Sequence, residues 1–73
     1  MFEYSKLRGK IREFFGTEKE FAKALGISKT SLSAKLNGHV EFTQSEIASS
    51  VVLLEIPHDS IHILFFNEKV KVS

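Results

Sequence analysis

Few side chains in this chain of 73 residues have the types and spacing that chemistry requires. His58 and His62 lie four residues apart, the spacing of two metal ligands on one helix face, but no third ligand accompanies them. The chain has no cysteine, so a thiolate-bound metal or an iron–sulfur cluster is excluded. The four glycines are isolated and form no phosphate-binding loop. We therefore predict no enzymatic activity, no metal, no cofactor and no small-molecule ligand.

A more informative pattern lies between residues 18 and 38. Two small residues, Ala22 and Gly26, stand among apolar positions that recur with helical spacing. Ala22 allows a second helix to cross closely over the first, and Gly26 can adopt the positive φ of a tight turn. Ser28 then fits the N-cap of the second helix. The pattern therefore predicts a helix-turn-helix.

Other local signals predict three more helices around this motif. Apolar residues repeat with helical spacing from Ser5 to Phe15. A capping box at Thr43 and Glu46 begins another helix, and Pro57 separates it from a short last helix. We therefore expect an all-α protein, a compact bundle of five short helices. The predicted inward-facing apolar residues include Leu7, Ile11, Phe14, Phe15, Phe21, Leu25, Leu32, Leu36, Ile47, Val51, Leu54, Ile61, Leu64 and Phe65.

Charge is distributed unevenly along the chain. Residues 1–40 have eight basic and four acidic side chains, whereas residues 41–73 have two basic and five acidic ones. A basic half is typical of proteins that bind a polyanion, and an acidic half suits another kind of contact. The N-terminal residues lack the layout of a secretory signal, and no apolar run is long enough for a membrane span. We therefore expect a cytoplasmic protein without a membrane contact.

The sequence resembles the Cro- and lambda-repressor-type phage regulators, also called the XRE family. The resemblance is carried by FAKALGISKTSLSAKLNG at residues 21–38, followed by FTQSEI at residues 42–47. It implies a lambda-repressor-like bundle at residues 1–66, with residues 67–73 as a C-terminal tail or short strand. It also implies a sequence-specific transcriptional regulator of phage or prophage type, which binds a double-stranded DNA operator as a homodimer.

The same resemblance implies which residues contact DNA, because the second motif helix of that family lies in the major groove. Base contacts are expected at Lys29, Thr30, Ser33 and Ala34. Phosphate contacts are expected at Ser28, Ser31, Lys35 and Asn37. From the residues alone, Ser28 and Ser31 are equally well explained as helix caps, and Lys35 as a solvated charge.

The last helix has more apolar residues than one face can bury. If Ile61, Leu64 and Phe65 point inward, then Ile63 and Phe66 point elsewhere. An exposed apolar patch of this kind is typical of a partner surface, although a core that wraps around the helix is an alternative. We predict a partner interface at Ile63 and Phe66, which fits a homodimer on a symmetric operator.

A second function fits the same scaffold. Glu18 stands where many members of the resembled family have a glutamine that bonds a phosphate, and its carboxylate would repel the DNA backbone. Residues 29–31 also lack the Asn, Gln and Arg side chains that make bidentate base contacts. The main prediction is a DNA-binding regulator. The alternative is a small modulator, like an antirepressor, that binds a partner repressor and masks its DNA-binding surface.

Overall fold

The computed structural model of the protein describes residues 2–67, which form five α-helices and no β-strand. The helices are α1 (Ser5–Phe15), α2 (Glu18–Leu25), α3 (Lys29–Leu36), α4 (Gln44–Leu53) and α5 (Ile61–Phe65), with a 3₁₀ turn at His58–Ser60 before α5. The predicted all-α bundle of five short helices is thus confirmed. Apart from Asn67, the tail or strand expected at residues 67–73 lies outside the described residues. Within residues 2–67, no helix has the length and hydropathy to cross a membrane.

Short-range hydrogen bonds explain where three of the helices begin. The N-cap hydroxyl groups of Thr17, Ser28 and Thr43 each accept the backbone N–H three residues later, at 3.0–3.2 Å. At Thr43 the exchange is reciprocal, because the Glu46 carboxylate accepts the Thr43 N–H at 2.9 Å and completes the predicted capping box. Glu20 makes no such return bond to Thr17 in the described structure.

The core lies around α2, which contacts α1, α3 and α4, while α5 packs against α1. Buried side chains fill the space between these helices. The apolar ones are Tyr4, Leu7, Ile11, Phe21, Ala22, Leu32, Leu36, Leu54, Ile56, Leu64 and Phe65. Most of the predicted inward positions are therefore buried, and burial of apolar surface stabilises the bundle.

Phe14 is an exception to the predicted pattern in α1. Its side chain is 40% exposed, and the Lys10 ammonium lies 5.5 Å from the centre of its ring. Phe15 takes the inward position instead, with its ring centre 5.3 Å from that of Phe21. Adjacent residues in a helix point about 100° apart, and on α1 it is Phe15 that lies on the side facing α2.

The inward face of α4 is also more polar than predicted. Ser50 is completely buried, and its hydroxyl donates to the Glu46 carbonyl at 2.7 Å. Ile47 and Val51, which the sequence pattern placed inside, are only half-buried. A serine fits here because its hydroxyl finds an acceptor within its own helix, so no polar atom is left unsatisfied.

Candidate functional site

The helix-turn-helix of α2 and α3 has the bend that the sequence predicts. Ala22 is buried within the bundle, in the helix that contacts α3. Gly26 has φ 85°, a left-handed conformation that an L side chain rarely adopts. Its N–H donates to the Lys23 carbonyl, and the Ile27 N–H donates to the Ala22 carbonyl at 3.0 Å. These bonds end α2 and direct the chain into α3.

The four residues expected to contact bases lie on one side of α3. Lys29 and Thr30 are exposed in its first turn, and Ser33 and Ala34 are half-buried one turn later. Lys29 also lines a shallow cleft with five residues of α1 and the following turn and with Glu18 of α2. Those residues are Arg8, Ile11, Arg12, Gly16 and Thr17.

Lys35, expected to contact a phosphate, is instead buried within the protein. Only 8% of the residue is exposed, and its ammonium lies 3.0 Å from the Glu46 carboxylate. It also donates to the Glu41 carbonyl at 3.2 Å. The physical reason is that Glu46, at the N-terminus of α4, offers a fixed acceptor to the last turn of α3. The ion pair therefore joins α3 to α4.

Arg8 is a second polar link that the sequence did not reveal. Its guanidinium donates to the Glu18 carboxylate at 2.9 Å, to the Asn37 side chain at 2.8 Å and to the Leu36 carbonyl at 3.2 Å. Asn37, another expected phosphate contact, accepts through its Oδ1 atom and stays exposed, so its phosphate role stays a prediction. Glu18 is an ion-pair partner of Arg8, which joins α1 to the start of α2 and the end of α3.

The remaining expected phosphate contacts are two serines in the first turn of α3. The Ser28 hydroxyl accepts the Ser31 N–H at 3.0 Å, so Ser28 is the N-cap of α3. Both residues are exposed. The hydrogen bond agrees with the capping role that the residues alone suggested, and the phosphate role stays a prediction.

The two residues expected to contact a partner, in α5 and at its C-cap, are exposed. Ile63 is 44% and Phe66 is 40% exposed. The Phe66 ring lies edge-on to Phe2, with the ring centres 5.7 Å apart. A hydrogen bond from the Glu3 N–H to the Asn67 carbonyl, 2.7 Å long, holds the N-terminal segment against this end of α5. The exposure matches the prediction, whereas a contact with a partner remains a prediction.

The charge state of Glu46 makes stability depend on pH. Burial opposes its ionised form, but the hydrogen bonds from Thr43 and the Lys35 ammonium outweigh burial and hold the pKa of Glu46 below its usual value. A lowered folded-state pKa stabilises the fold above the unfolded-state pKa, and this stabilisation is lost as the pH falls.

We therefore expect the free energy of unfolding to decrease as the pH falls below about 4. Urea unfolding followed by circular dichroism at pH 7 and pH 3 measures this decrease. In Glu46→Gln, which cannot ionise at this position, the decrease should be smaller. An equal decrease in both proteins would contradict the role assigned to Glu46.

Comparison with known families defines the class of protein to which this fold belongs. The chain belongs to the family DUF739, described as a protein of unknown function, which matches residues 1–68. Among curated proteins, none matches the chain significantly. A similar solved structure is the solution structure of the modulator of repression (MOR) of the temperate bacteriophage TP901-1 from Lactococcus lactis. The two are 43% identical, with a TM-score of 0.79, and the match covers 96% of this chain and 95% of that chain.

These comparisons correct two predictions. The assignment to the XRE-type DNA-binding repressors was wrong, because the family is DUF739 and the similar structure is a modulator of repression. The main functional prediction, a DNA-binding regulator, was wrong for the same reason. Both predictions inferred function from the fold, but one helical scaffold can carry different functions. The comparisons support neither the operator nor the homodimer, and they favour the modulator that the sequence left as an alternative.

Proposed function

We propose that this protein is a modulator of phage-type repression that binds a partner repressor and covers its DNA-binding surface. The observation that carries the proposal is the similarity to the modulator of TP901-1, at 43% identity over nearly the full length of both chains. A repressor acts on intracellular DNA, so we also assign the protein to the cytoplasm. In this proposal the protein acts by occupying a surface, without a chemical step.

The internal bonding of the cationic side chains supports this function over DNA binding. Affinity for DNA depends strongly on Lys and Arg side chains that neutralise phosphates. In this protein Lys35 is buried against Glu46, and Arg8 is paired with Glu18. Of the side chains expected to contact DNA, Lys29 provides an exposed cation. The surface of α3 is therefore poorly supplied with charge for a polyanion.

Exposed apolar side chains favour a protein as the partner. Val40, Val52, Ile63 and Phe66 are all exposed although each is large and apolar. Contact with another protein removes such surface from water, and exposed apolar patches commonly mark protein interfaces. These side chains offer little to a phosphate backbone, because that contact relies on charge.

Isothermal titration calorimetry with the purified repressor encoded in the same genome tests the proposal. We expect saturable binding with a Kd of about 1 μM or tighter, which corresponds to about −8 kcal/mol. In a parallel gel-shift assay, the protein alone should produce no sequence-specific shift of operator DNA. Specific binding of the operator by the protein alone, together with no heat of binding to the repressor, would contradict the proposal.

A further inference from the structure

A groove between α2 and α4 is lined entirely by uncharged residues. It has a volume of about 440 Å³ and is formed by Ala24, Ala48, Ser49, Val52 and Leu53. Val52 is 75% exposed, more than any other large apolar residue among residues 2–67. Because it buries so little surface, Val52 contributes little to the stability of the fold.

Glu55 follows the C-cap of α4, two residues after Leu53, which ends α4 and lines the groove. Its N–H donates to the Val52 carbonyl at 3.3 Å, and the Ile56 N–H donates to the Val51 carbonyl at 3.0 Å. This helix-ending pattern needs a left-handed residue, which is usually glycine. Glu55 takes that conformation with φ 49°. The other residues with positive φ in the described part of the chain are Gly16, Gly26 and Gly38.

A carboxylate at this position is also electrostatically unfavourable. The C-terminus of a helix has a partial negative charge that favours a cation, and α4 has no basic residue in its last turn. Residues 41–67 contain four acidic side chains and neither Lys nor Arg. Glu46 is paired with Lys35, whereas Glu55 is exposed and makes no ion pair with any of residues 2–67. Within residues 2–67, therefore, no ion pair stabilises the charge of Glu55.

We infer that the C-terminal end of α4 is the docking point for the DNA-binding surface of the repressor. The Glu55 carboxylate accepts a Lys or Arg side chain of that surface, and the groove beside Val52 receives a neighbouring apolar side chain. This inference rests on the proposed function.

Charge complementarity identifies the occupant. A surface that binds DNA carries Lys and Arg, because it must neutralise phosphates. The acidic and apolar end of α4 complements such a surface. Residues 2–40, which contain eight basic and four acidic side chains, would repel it.

Variants at Glu55 separate folding from binding. Glu55→Gly should raise the thermal midpoint by roughly 4–8 °C, because glycine relieves the left-handed strain and the charge conflict with the helix end. The same variant should weaken binding of the purified repressor about three- to tenfold. Glu55→Gln keeps a long side chain in the same left-handed conformation and removes only the charge, so it should weaken binding equally with a smaller gain in stability than Glu55→Gly. Its binding should also depend less on salt.

Val52→Ser tests the apolar part of the docking point. It should weaken repressor binding about tenfold and leave the thermal midpoint nearly unchanged, because the side chain is exposed. Glu13→Gln is the matched control for Glu55→Gln. It also removes an exposed carboxylate, but from α1, which does not line the groove. The control should bind like the wild type.

The outcomes distinguish this inference from the proposed function. If the wild type binds the repressor and both Glu55→Gln and Val52→Ser bind equally well, the docking point is refuted while the proposed function stands. If Val52→Ser instead dissociates a dimer of this chain, the groove joins two copies, which also refutes the inference. If the wild type does not bind the repressor, both fail.

Discussion

Replacement of Glu46 with alanine is expected to lower the free energy of unfolding by about 3–5 kcal/mol. The substitution leaves the buried Lys35 ammonium with the Glu41 carbonyl as its remaining acceptor. It also removes the carboxylate that accepts the Thr43 N–H at the start of α4. A buried charge without its partner is strongly destabilising, and the loss of the return bond of the capping box adds to this effect. Urea unfolding at pH 7 measures the change.

The double variant Lys35→Met/Glu46→Ala is the control for this prediction. With both charges removed, no unpaired ion remains inside the protein, so the loss should be smaller than the sum of the two single losses. A loss below about 1 kcal/mol in Glu46→Ala would show that the pair behaves as a surface salt bridge. That result would contradict the burial and the linking role assigned to Lys35.

Replacement of Phe21 with alanine should be comparably severe. The residue is completely buried in α2, the helix that contacts α1, α3 and α4. Removing a buried phenyl ring costs about 3–5 kcal/mol, because the lost burial is accompanied by a cavity. Small domains have a total stability of roughly 5–15 kcal/mol. The variant should therefore unfold at a temperature well below the thermal midpoint of the wild type. Thermal unfolding followed by circular dichroism measures the shift.

Phe14→Ala provides a matched control for the loss of a phenyl ring. Its ring is 40% exposed on α1 and contacts Lys10 at the surface. We expect a loss of no more than about 1 kcal/mol. Equal losses in Phe14→Ala and Phe21→Ala would mean that the two rings are equally buried, contrary to the structure.

Local features of the sequence were sufficient to predict the helices. The cap residues Thr17, Ser28 and Thr43 act through hydrogen bonds to residues three positions away, so their signal lies within a few residues. The signal of Gly26 is also local, because its left-handed conformation is required by the turn that ends α2. These features could be read before the packing of the bundle was known.

Pairs that depend on tertiary packing were not predicted. Arg8 and Asn37 are 29 residues apart, and their contact requires that the start of α1 lie beside the end of α3. Lys35 was expected at the surface, as a phosphate contact or as a solvated charge. Its partner became evident only when α4 was placed against α3. The burial of Ser50 was not predicted, because the helical pattern used to find inward positions includes only apolar residues.

The functional prediction failed for a different reason. The motif at residues 21–38 defines a fold, and that fold does not determine what the outer surface of α3 binds. Two features did point away from DNA: Glu18 in place of a phosphate-binding glutamine, and the scarcity of base-reading side chains at residues 29–31. The structure adds a third, because the Lys35 ammonium is buried and bonded within the protein.

Titration of a preformed repressor–operator complex with this protein tests the proposed function most directly, with the anisotropy of fluorescently labelled operator DNA as the signal. We predict that the anisotropy falls to the value of free DNA as the protein is added, because the bound repressor can no longer hold its operator. An unchanged anisotropy would mean that the repressor keeps its DNA. An increase would mean that the protein joins the complex on DNA. Either result would contradict a modulator that covers the DNA-binding surface.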